Sequence, residues 1–124
     1  MSPRVRREGT EPEDFLPLPR DTFDVLVSLA DRDRHGYAIM QDILDRSSGR
    51  VRLSPSSLYA VIKRLLETGL IEELEERPDP DHDDERRRYY RLTPLGRRVA
   101  LVEAQRLTRL LADARATGLV PKRG

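Results

Sequence analysis

The segment from Leu53 to Gly69 constrains the fold of this chain more than any other. Ser54 is a favoured N-cap residue, and Pro55 follows at the first helical position, where the missing N–H has no intrahelical partner to lose. Gly69 is a natural stop for the helix that follows. At about 100° per residue, the large apolar side chains of this helix fall on one side: Leu58, Val61, Ile62, Leu65 and Leu66. The sequence therefore predicts an amphipathic helix that packs one side into a core.

The other side of the same helix is small, hydroxylated, aromatic and basic. It comprises Ser56, Ser57, Tyr59, Ala60, Lys63, Arg64 and Glu67, with no acidic residue before the last of these. A helix side that only faces water usually mixes charges of both signs. The candidate DNA contacts on this side are Ser56, Ser57, Tyr59, Lys63 and Arg64. The alternatives are that Tyr59 caps the edge of the core and that Lys63 and Arg64 belong to a solvated face.

Two further helices and a hairpin are predicted around this one. A first helix runs from about Thr22 to Ala30 with Asp21 as its N-cap, and a second runs from about Gly36 to Ser47. Strands are predicted at 70–76 and 88–92, joined by a tip rich in proline and aspartate.

Two segments are predicted to carry no regular structure. The run Asp31–Arg34 is fully charged, which indicates an exposed turn. Residues 1–19 contain four prolines and little periodicity, which indicates an arm or a disordered tail. Within that arm, Phe15, Leu16 and Leu18 are apolar enough to dock on a partner surface.

The order helix, helix, helix, hairpin is that of a winged helix-turn-helix. The predicted fold class is therefore mainly α with a small β-hairpin. In this arrangement the third helix enters the major groove of DNA, and the hairpin, or wing, lies along the backbone or in the minor groove. Arg86, Arg87 and Arg88 are candidate wing contacts, or else they balance the acidic tip. Tyr37, at the rim of the second helix, either stacks in the core or contacts phosphate.

A long C-terminal helix begins at Thr93-Pro94 and runs to about Thr117, with Gly118 as its stop. Apolar side chains cover nearly half of its circumference, which is more than one small domain can bury, so a second copy of the chain is the predicted partner. The candidate dimerisation residues are Leu95, Val99, Val102, Leu107, Leu110, Leu111 and Ala114. The expected organisation is a flexible arm over 1–19, a winged helix-turn-helix over 20–92, a dimerisation helix over 93–118 and a tail over 119–124.

Charge is abundant but segregated along the chain. Charged residues make up 36% of the sequence, yet the formal net charge is only +1. Nine acidic residues and one basic residue lie between Glu72 and Glu85, whereas eight basic residues and one acidic residue lie between Arg86 and Arg109. Such segregation predicts surfaces of opposite sign.

The residue types disfavour several other functions. With no cysteine, the chain has no disulfide, thiolate zinc site or cysteine nucleophile. His35 has no base or nucleophile spaced near it and is predicted to hydrogen-bond locally at a helix start, so no catalytic residue and no enzyme are expected. The run Asp81–Glu85 lacks the ligand spacing of a calcium or zinc site, so no metal or other cofactor is expected. No apolar stretch approaches the roughly 20 residues of a membrane span, and a cytoplasmic location without membrane contact is expected.

Four short motifs follow one another along the chain: His35–Ile39 (HGYAI), Leu53–Tyr59 (LSPSSLY), Leu65–Ile71 (LLETGLI) and Arg88–Gly96 (RYYRLTPLG). Together they resemble the PadR family of bacterial transcription regulators, over roughly Leu18 to Leu111. The resemblance implies a homodimer that binds a pseudo-palindromic operator in double-stranded DNA, usually as a repressor. It also implies dimerisation through the C-terminal helix, often with help from the first helix.

The resemblance also implies a small aromatic effector as a candidate ligand, because some members release DNA on binding a phenolic acid or a planar drug-like molecule. Two features depart from the family. The segment Arg77–Glu85 is long and strongly acidic, so phosphate would repel it, and it could hold Arg86–Arg88 in intramolecular pairs. The chain has no tryptophan, so the ligand-binding residues of members that sandwich flat ligands between tryptophans are not carried over.

The main alternative is a winged-helix module that binds a protein and not DNA. The acidic wing and the near-zero net charge favour it. The two functions are distinguished by reversing the charge of Lys63 and Arg64, which abolishes DNA binding in the first and leaves the second intact.

Overall fold

Four helices and a three-stranded antiparallel sheet make up the described residues, 11–74 and 88–121, of the computed structural model. A short 3-10 helix, Pro12–Phe15, comes first. The elements that follow are α1 (Arg20–Asp31), β1 (Arg34–His35), α2 (Gly36–Arg46), α3 (Pro55–Glu67), β2 (Ile71–Glu73), β3 (Tyr89–Leu92) and α4 (Pro94–Ala116). The predicted fold class, mainly α with a small hairpin, is confirmed.

The predicted starts of the two proline-led helices are confirmed. The Ser54 hydroxyl accepts a hydrogen bond from the Ser57 N–H at 3.1 Å, and Pro55 opens α3. The Thr93 hydroxyl accepts one from the Gly96 N–H at 3.0 Å, and α4 opens at Pro94. In both cases a side-chain acceptor satisfies an N–H that the first helical turn leaves unpaired.

The core is formed where α1, α2 and α3 meet the sheet and the first half of α4. Its buried apolar residues are Val25, Leu26, Leu29, Ile39, Ile43, Leu58, Val61, Ile62, Leu65, Leu70, Ile71, Tyr90 and Val99. The predicted apolar side of α3 is thus buried, apart from Leu66, which is half-buried. This packing determines which side of α3 faces outward.

Two expectations about the first helix and its turn are wrong. Helix α1 begins at Arg20 with Pro19 as its N-cap residue, so Asp21 lies in the first turn and does not cap. The turn after α1 is exposed only through Asp33, because Arg34 pairs with Tyr90 of β3. The sheet therefore has three strands in the order β1-β3-β2. A two-residue strand is too short to show alternation in sequence.

The described part of the N-terminal arm packs on its own chain. The Leu18 N–H donates a hydrogen bond of 3.0 Å to Glu103 Oε2 on α4, and Phe15, Leu16 and Leu18 pack against the core. The expectation of a disordered tail is therefore wrong for residues 11–19. Residues 1–10 and the predicted wing tip, which falls within 75–87, lie outside the described residues.

Neither a membrane span nor a metal cluster is found in residues 11–74 and 88–121. Every helix in these ranges is too short or too polar to span a bilayer. Within the same ranges, no three His, Asp or Glu side chains gather closely enough to hold a metal ion. The acidic run Asp81–Glu85 lies outside them.

Candidate nucleic-acid interface

The outward side of α3 brings together the five residues that the sequence singled out on this helix. Burial of the apolar side sets the rotation of the helix, so all five predicted contacts are exposed: Ser56, Ser57, Tyr59, Lys63 and Arg64. The acidic Glu67 lies at the opposite end from the N-cap Ser54. Apart from the small Ala60, the first three turns of this side therefore offer hydroxyl, aromatic and cationic groups and no carboxylate.

Three serine hydroxyls cluster at the N-terminus of α3. Besides capping the helix, Ser54 Oγ lies 3.0 Å from Ser57 Oγ and 3.3 Å from Ser56 Oγ. All three serines are exposed. The unpaired N–H groups and the positive end of the helix dipole favour an anion at this end, and the hydroxyls add donors and acceptors.

Tyr59 packs against the start of α2 and remains accessible to solvent. It is 49% exposed, and its ring covers the start of α2 so closely that a Cβ atom at Gly36 would overlap the phenol hydroxyl. Glycine at position 36 therefore leaves room for the Tyr59 ring to lie against the start of α2. Tyr37, the next residue, is 61% exposed, so it does not stack in the core. Two accessible tyrosines thus flank the junction of α2 and α3.

Four cations adjoin this surface without a carboxylate partner. In the ranges that the structure covers, no ion pair engages Lys63 or Arg64, or Arg50 and Arg52 before the helix. The sequence-based site omitted Arg50 and Arg52. The signal was available in the alternation around them, because Val51 and Leu53 pack against the core and leave Arg50, Arg52 and Ser54 exposed.

Arg34 and Arg46, in contrast, form ion pairs that link α1 to α2. Arg34 Nη2 lies 2.7 Å from Asp31 and 3.3 Å from Asp42, and Arg34 Nε donates to the Ser28 carbonyl. Arg46 Nε lies 2.7 Å from Asp42. Burial opposes ionisation of Asp42, but the hydrogen bond from Arg46 and the nearby positive charges outweigh it and lower its pKa. These charges are neutralised within the chain.

Carboxylates also occupy the described part of the wing. Arg88, which is 68% exposed, lies 3.4 Å from Glu73 across the hairpin, and Arg91 lies 2.8 Å from Glu72. Burial, reinforced by the Glu73 carboxylate, raises the pKa of the Tyr90 phenol on the same strand as Arg91. Arg86 and Arg87 lie outside the described residues. Of the three predicted wing contacts, the one described is therefore already paired with an acid.

The residues predicted for dimerisation fall into two groups along α4. Val99 is fully buried in its own core and so is not exposed to a second chain, and Leu95 is half-buried against that core. No α4 residue after Glu103 is buried, and Leu110 and Leu111 are 56% and 43% exposed. Val102, Leu107 and Ala114 are half-buried. Leu101, 56% exposed on the opposite side of α4, was not predicted.

His35 has a structural role at the start of α2. Its Nδ1 accepts a hydrogen bond of 3.2 Å from the Ala38 N–H, which makes it the N-cap residue. Its ring meets the Tyr89 ring edge-on, with centroids 5.1 Å apart. The predicted local hydrogen bond is therefore confirmed.

Comparisons with known proteins agree with the resemblance that the four sequence motifs indicate. The sequence model of the transcriptional regulator PadR-like family matches residues 25–101. An uncharacterized protein X of Lysinibacillus sphaericus is 34% identical over 73 residues, which are 59% of this chain and 64% of that protein. The chain spans less than two thirds of the length of the curated relatives that it matches.

Solved structures share the fold at lower identity. The transcriptional regulator Cth-833 from Clostridium thermocellum has a TM-score of 0.65 at 22% identity, over 81% of this chain and 90% of its own. A PadR family transcription regulator from Clostridium difficile R20291 has a TM-score of 0.61 at 23% identity, over 77% and 96%. The family model covers more than half of the chain and describes regulators, not enzymes. This protein therefore belongs to the PadR-like family of transcriptional regulators.

Proposed function

We propose that this regulator acts as a homodimer that binds a pseudo-palindromic DNA operator with α3 in the major groove. The observation that carries the proposal is the exposed side of α3, where hydroxyl, aromatic and unpaired cationic groups lie together above a buried apolar side. A polar side that only faces water usually mixes charges of both signs. A polar side with cations and no carboxylate in its first three turns suits the groove of a polyanion.

The contacts divide by position along the helix. The N-terminal part of a recognition helix approaches base edges, so Ser56, Ser57 and Tyr59 are assigned to base contacts. Lys63 and Arg64, two turns further on, are assigned to phosphates. Tyr37 extends the phosphate contacts onto α2.

Arg50 and Arg52 extend the same surface before the cap of α3. Both are exposed and unpaired within the described ranges, and they adjoin the end of the helix that favours anions. We assign them to phosphates that flank the recognition helix. Because each phosphate contact contributes about one unit to the salt slope of log K, replacing both with glutamine lowers that slope by roughly two.

The wing is assigned a smaller share of the affinity. Arg88 must leave Glu73 before it can contact a phosphate. Because one ion pair is exchanged for another, the net gain in binding free energy is small. Arg86 and Arg87 remain candidate wing contacts. Phosphate would repel the carboxylates of the acidic tip, which lies outside the described residues.

The second copy of the chain is assigned to the apolar surface on the C-terminal half of α4. Leu107, Leu110, Leu111 and Ala114 form this surface, and the two-fold axis of a dimer would place two α3 helices about 34 Å apart, in successive major grooves. The functional units are then the winged helix-turn-helix over 20–92 and the dimerisation helix over 93–118. The arm over 1–19 is divided, because residues 11–19 belong to the domain.

The direction of regulation follows from the family and is part of the proposal. A dimer bound across a promoter excludes polymerase and acts as a repressor. A small aromatic effector would release DNA only if it bound one arrangement of the two α3 helices more tightly than the other.

The test is fluorescence anisotropy of the protein with labelled DNA from upstream of its own gene. Unlabelled scrambled DNA is the competitor, and salt is raised stepwise to physiological strength. We expect binding that survives physiological salt and prefers the upstream DNA by about 10³ or more. If binding is equal for both DNAs and lost with salt, the same titration is repeated with genomic fragments, and failure there supports the protein-binding module instead.

A further inference from the structure

Helix α3 ends in a turn whose backbone is completely determined by hydrogen bonds. The Leu70 N–H donates to the Leu65 carbonyl at 3.0 Å, and the Gly69 N–H donates to the Leu66 carbonyl at 3.2 Å. Gly69 has a φ of +78°, the left-handed conformation that this Schellman turn requires. The carbonyl groups of Gly69 and Leu70 then point away from α3.

Both of these carbonyls accept hydrogen bonds from Thr93, the N-cap residue of α4. Thr93 Oγ1 donates to the Gly69 oxygen at 2.6 Å, and the Thr93 N–H donates to the Leu70 oxygen at 3.1 Å. The same Oγ1 accepts from the Gly96 N–H at 3.0 Å and so caps α4. One threonine therefore donates both hydrogen bonds to the turn that follows α3 and also caps the start of α4.

Gly96, in the first turn of α4, makes the closest backbone approach at this contact. It is buried, and a Cβ atom built on it would overlap the Leu70 carbonyl oxygen and carbon. Backbone therefore lies directly against backbone, with no flexible side chain between them. We call Gly69, Leu70, Thr93 and Gly96 the α3–α4 joint.

We propose that Thr93 and Gly96 are positioning residues that set the direction of α4 relative to α3, and thereby select the spacing of the two operator half-sites. This inference rests on the proposed function, because spacing has meaning only for a dimer on DNA. Leu110 lies about 21 Å along the helix from Gly96, at about 1.5 Å per residue. A small tilt at the joint therefore becomes a displacement of several ångströms at the dimer surface.

The affinity for operator DNA is sensitive to such a displacement. One added base pair moves a half-site by about 3.4 Å and turns it by about 35° around the helix axis. The joint therefore predicts a sharp spacing optimum for the wild-type dimer. Residues that act only on stability would change the affinity for every spacing equally, so the shape of the spacing profile separates positioning from general stabilisation.

Three variants separate the parts of the joint. Gly96→Ala inserts a methyl group against the Leu70 backbone and forces α4 to tilt. Thr93→Asp keeps an acceptor for the Gly96 N–H, as an N-cap must, but has no proton for the Gly69 oxygen. Thr93→Ser keeps both hydrogen bonds and is the matched control. If Gly96→Ala does not fold, Thr93→Asp still tests the proposal.

The first experiment uses duplexes that the wild-type protein selects from a random library, rebuilt with half-sites one or two base pairs closer or further apart. We expect the wild type and Thr93→Ser to prefer one spacing by about tenfold or more, a range typical of one lost base contact. Gly96→Ala and Thr93→Asp shift the optimum or reduce the preference below about threefold, while affinity for a single half-site stays within about twofold. Unchanged profiles in both variants would overturn the proposal.

The second experiment needs no DNA, so it separates failure of the joint from failure of the proposed function. The chain has no cysteine, so nitroxide labels on Ala60→Cys in α3 and Arg109→Cys in α4 report one intrachain distance when labelled protein is diluted into unlabelled protein. We expect a single narrow distance distribution that shifts in Gly96→Ala and broadens in Thr93→Asp. The same narrow distribution in all variants would show that the joint does not set the angle, whatever the protein binds.

Discussion

Helix α3 and the C-terminal half of α4 are both amphipathic, but within residues 11–74 and 88–121 only the apolar side of α3 is covered by the rest of the domain. The apolar side of α3 is buried from Leu58 to Leu65, and its polar side is exposed. On α4, one stripe with three- and four-residue steps runs through Gly96, Val99, Glu103, Leu107, Leu110 and Ala114. The chain buries this stripe only as far as Glu103. The rest of the stripe extends beyond the core.

The difference indicates what each surface can bind. The apolar side of α3 is satisfied within the domain, so its free side offers charge and hydroxyl groups, which suit a polyanion. The free side of α4 offers leucine, which suits a second apolar surface. The first two of the following predictions each change one of these surfaces and leave the other intact, and the later ones change the boundary at Glu103 and the wing.

The largest effect is expected at the exposed end of the α4 stripe. Leu110→Asp places a charge in the proposed dimer surface, so the dimer should dissociate. Operator affinity should then fall by roughly 10³, because a monomer contacts only one of the two half-sites. Leu101→Asp is the matched control, since both leucines are 56% exposed but lie on opposite sides of α4. Sedimentation equilibrium and anisotropy measure the two effects. A dimeric Leu110→Asp would place the interface elsewhere.

Charge reversal on α3 should have the next largest effect. The double variant Lys63→Glu, Arg64→Glu should weaken operator binding by roughly 10², through two lost phosphate contacts and two new repulsions, while the protein remains a dimer. The control Arg20→Glu, Arg32→Glu makes the same change in net charge at the two ends of α1. Equal losses in both variants would mean that overall charge, and not the α3 surface, drives binding.

Glu103 marks the boundary between the covered and uncovered parts of the α4 stripe. It is 1% exposed and accepts hydrogen bonds from Arg106 and from the Leu18 N–H, at 2.6 and 3.0 Å. Glu103→Gln replaces a charged acceptor that holds the arm on α4. We expect it to lower the free energy of unfolding by about 1–3 kcal/mol near neutral pH, with little change in DNA contacts.

This loss should depend on pH in a defined direction. The hydrogen bond from Arg106 lowers the pKa of Glu103 below its ordinary 4.5, against the opposing effect of burial. A lowered carboxyl pKa stabilises the fold above the unfolded value and loses that contribution as pH falls through the folded value. The gap between wild type and Glu103→Gln in urea unfolding, at one fixed protein concentration, should therefore be constant above about pH 5.5 and shrink below about 4.5. A constant gap down to pH 3 would contradict this.

The smallest effect is expected in the wing. Glu73→Gln removes the carboxylate that engages Arg88, so this arginine becomes free for phosphate and operator affinity should rise by about two- to threefold. Glu72→Gln, which frees Arg91 on the other side of the hairpin, is the control. If both changes raise affinity equally, the gain comes from net charge and not from Arg88.

Much of the fold and part of the candidate interface could be predicted because they depend on neighbouring residues. The starts of α3 and α4 follow from Ser54-Pro55 and Thr93-Pro94. The exposed side of α3 follows from helical periodicity, and the arrangement of elements from their order. Arg50 and Arg52 could have been included, because burial of Val51 and Leu53 is visible as alternation around them.

The remaining features depend on residues far apart in sequence. The strand at Arg34 exists only because Tyr90 pairs with it, and the arm residues 11–19 contact α4 because Glu103, 85 positions from Leu18, accepts the Leu18 N–H. Val99 and Leu110 share one stripe, and sequence cannot say where the covering core ends. The pairing of Arg88 with Glu73 also needs the hairpin register.

The sequence by itself therefore determined the family, the helix starts and the side of α3 that faces outward, because caps and periodicity act within a few residues. Only the tertiary structure decided which part of α4 remains uncovered, which arginines are already neutralised, and how Thr93 joins α4 to the end of α3. These properties arise where separate segments meet, and the free energy of each contact depends on atoms that lie close in space but far apart along the chain.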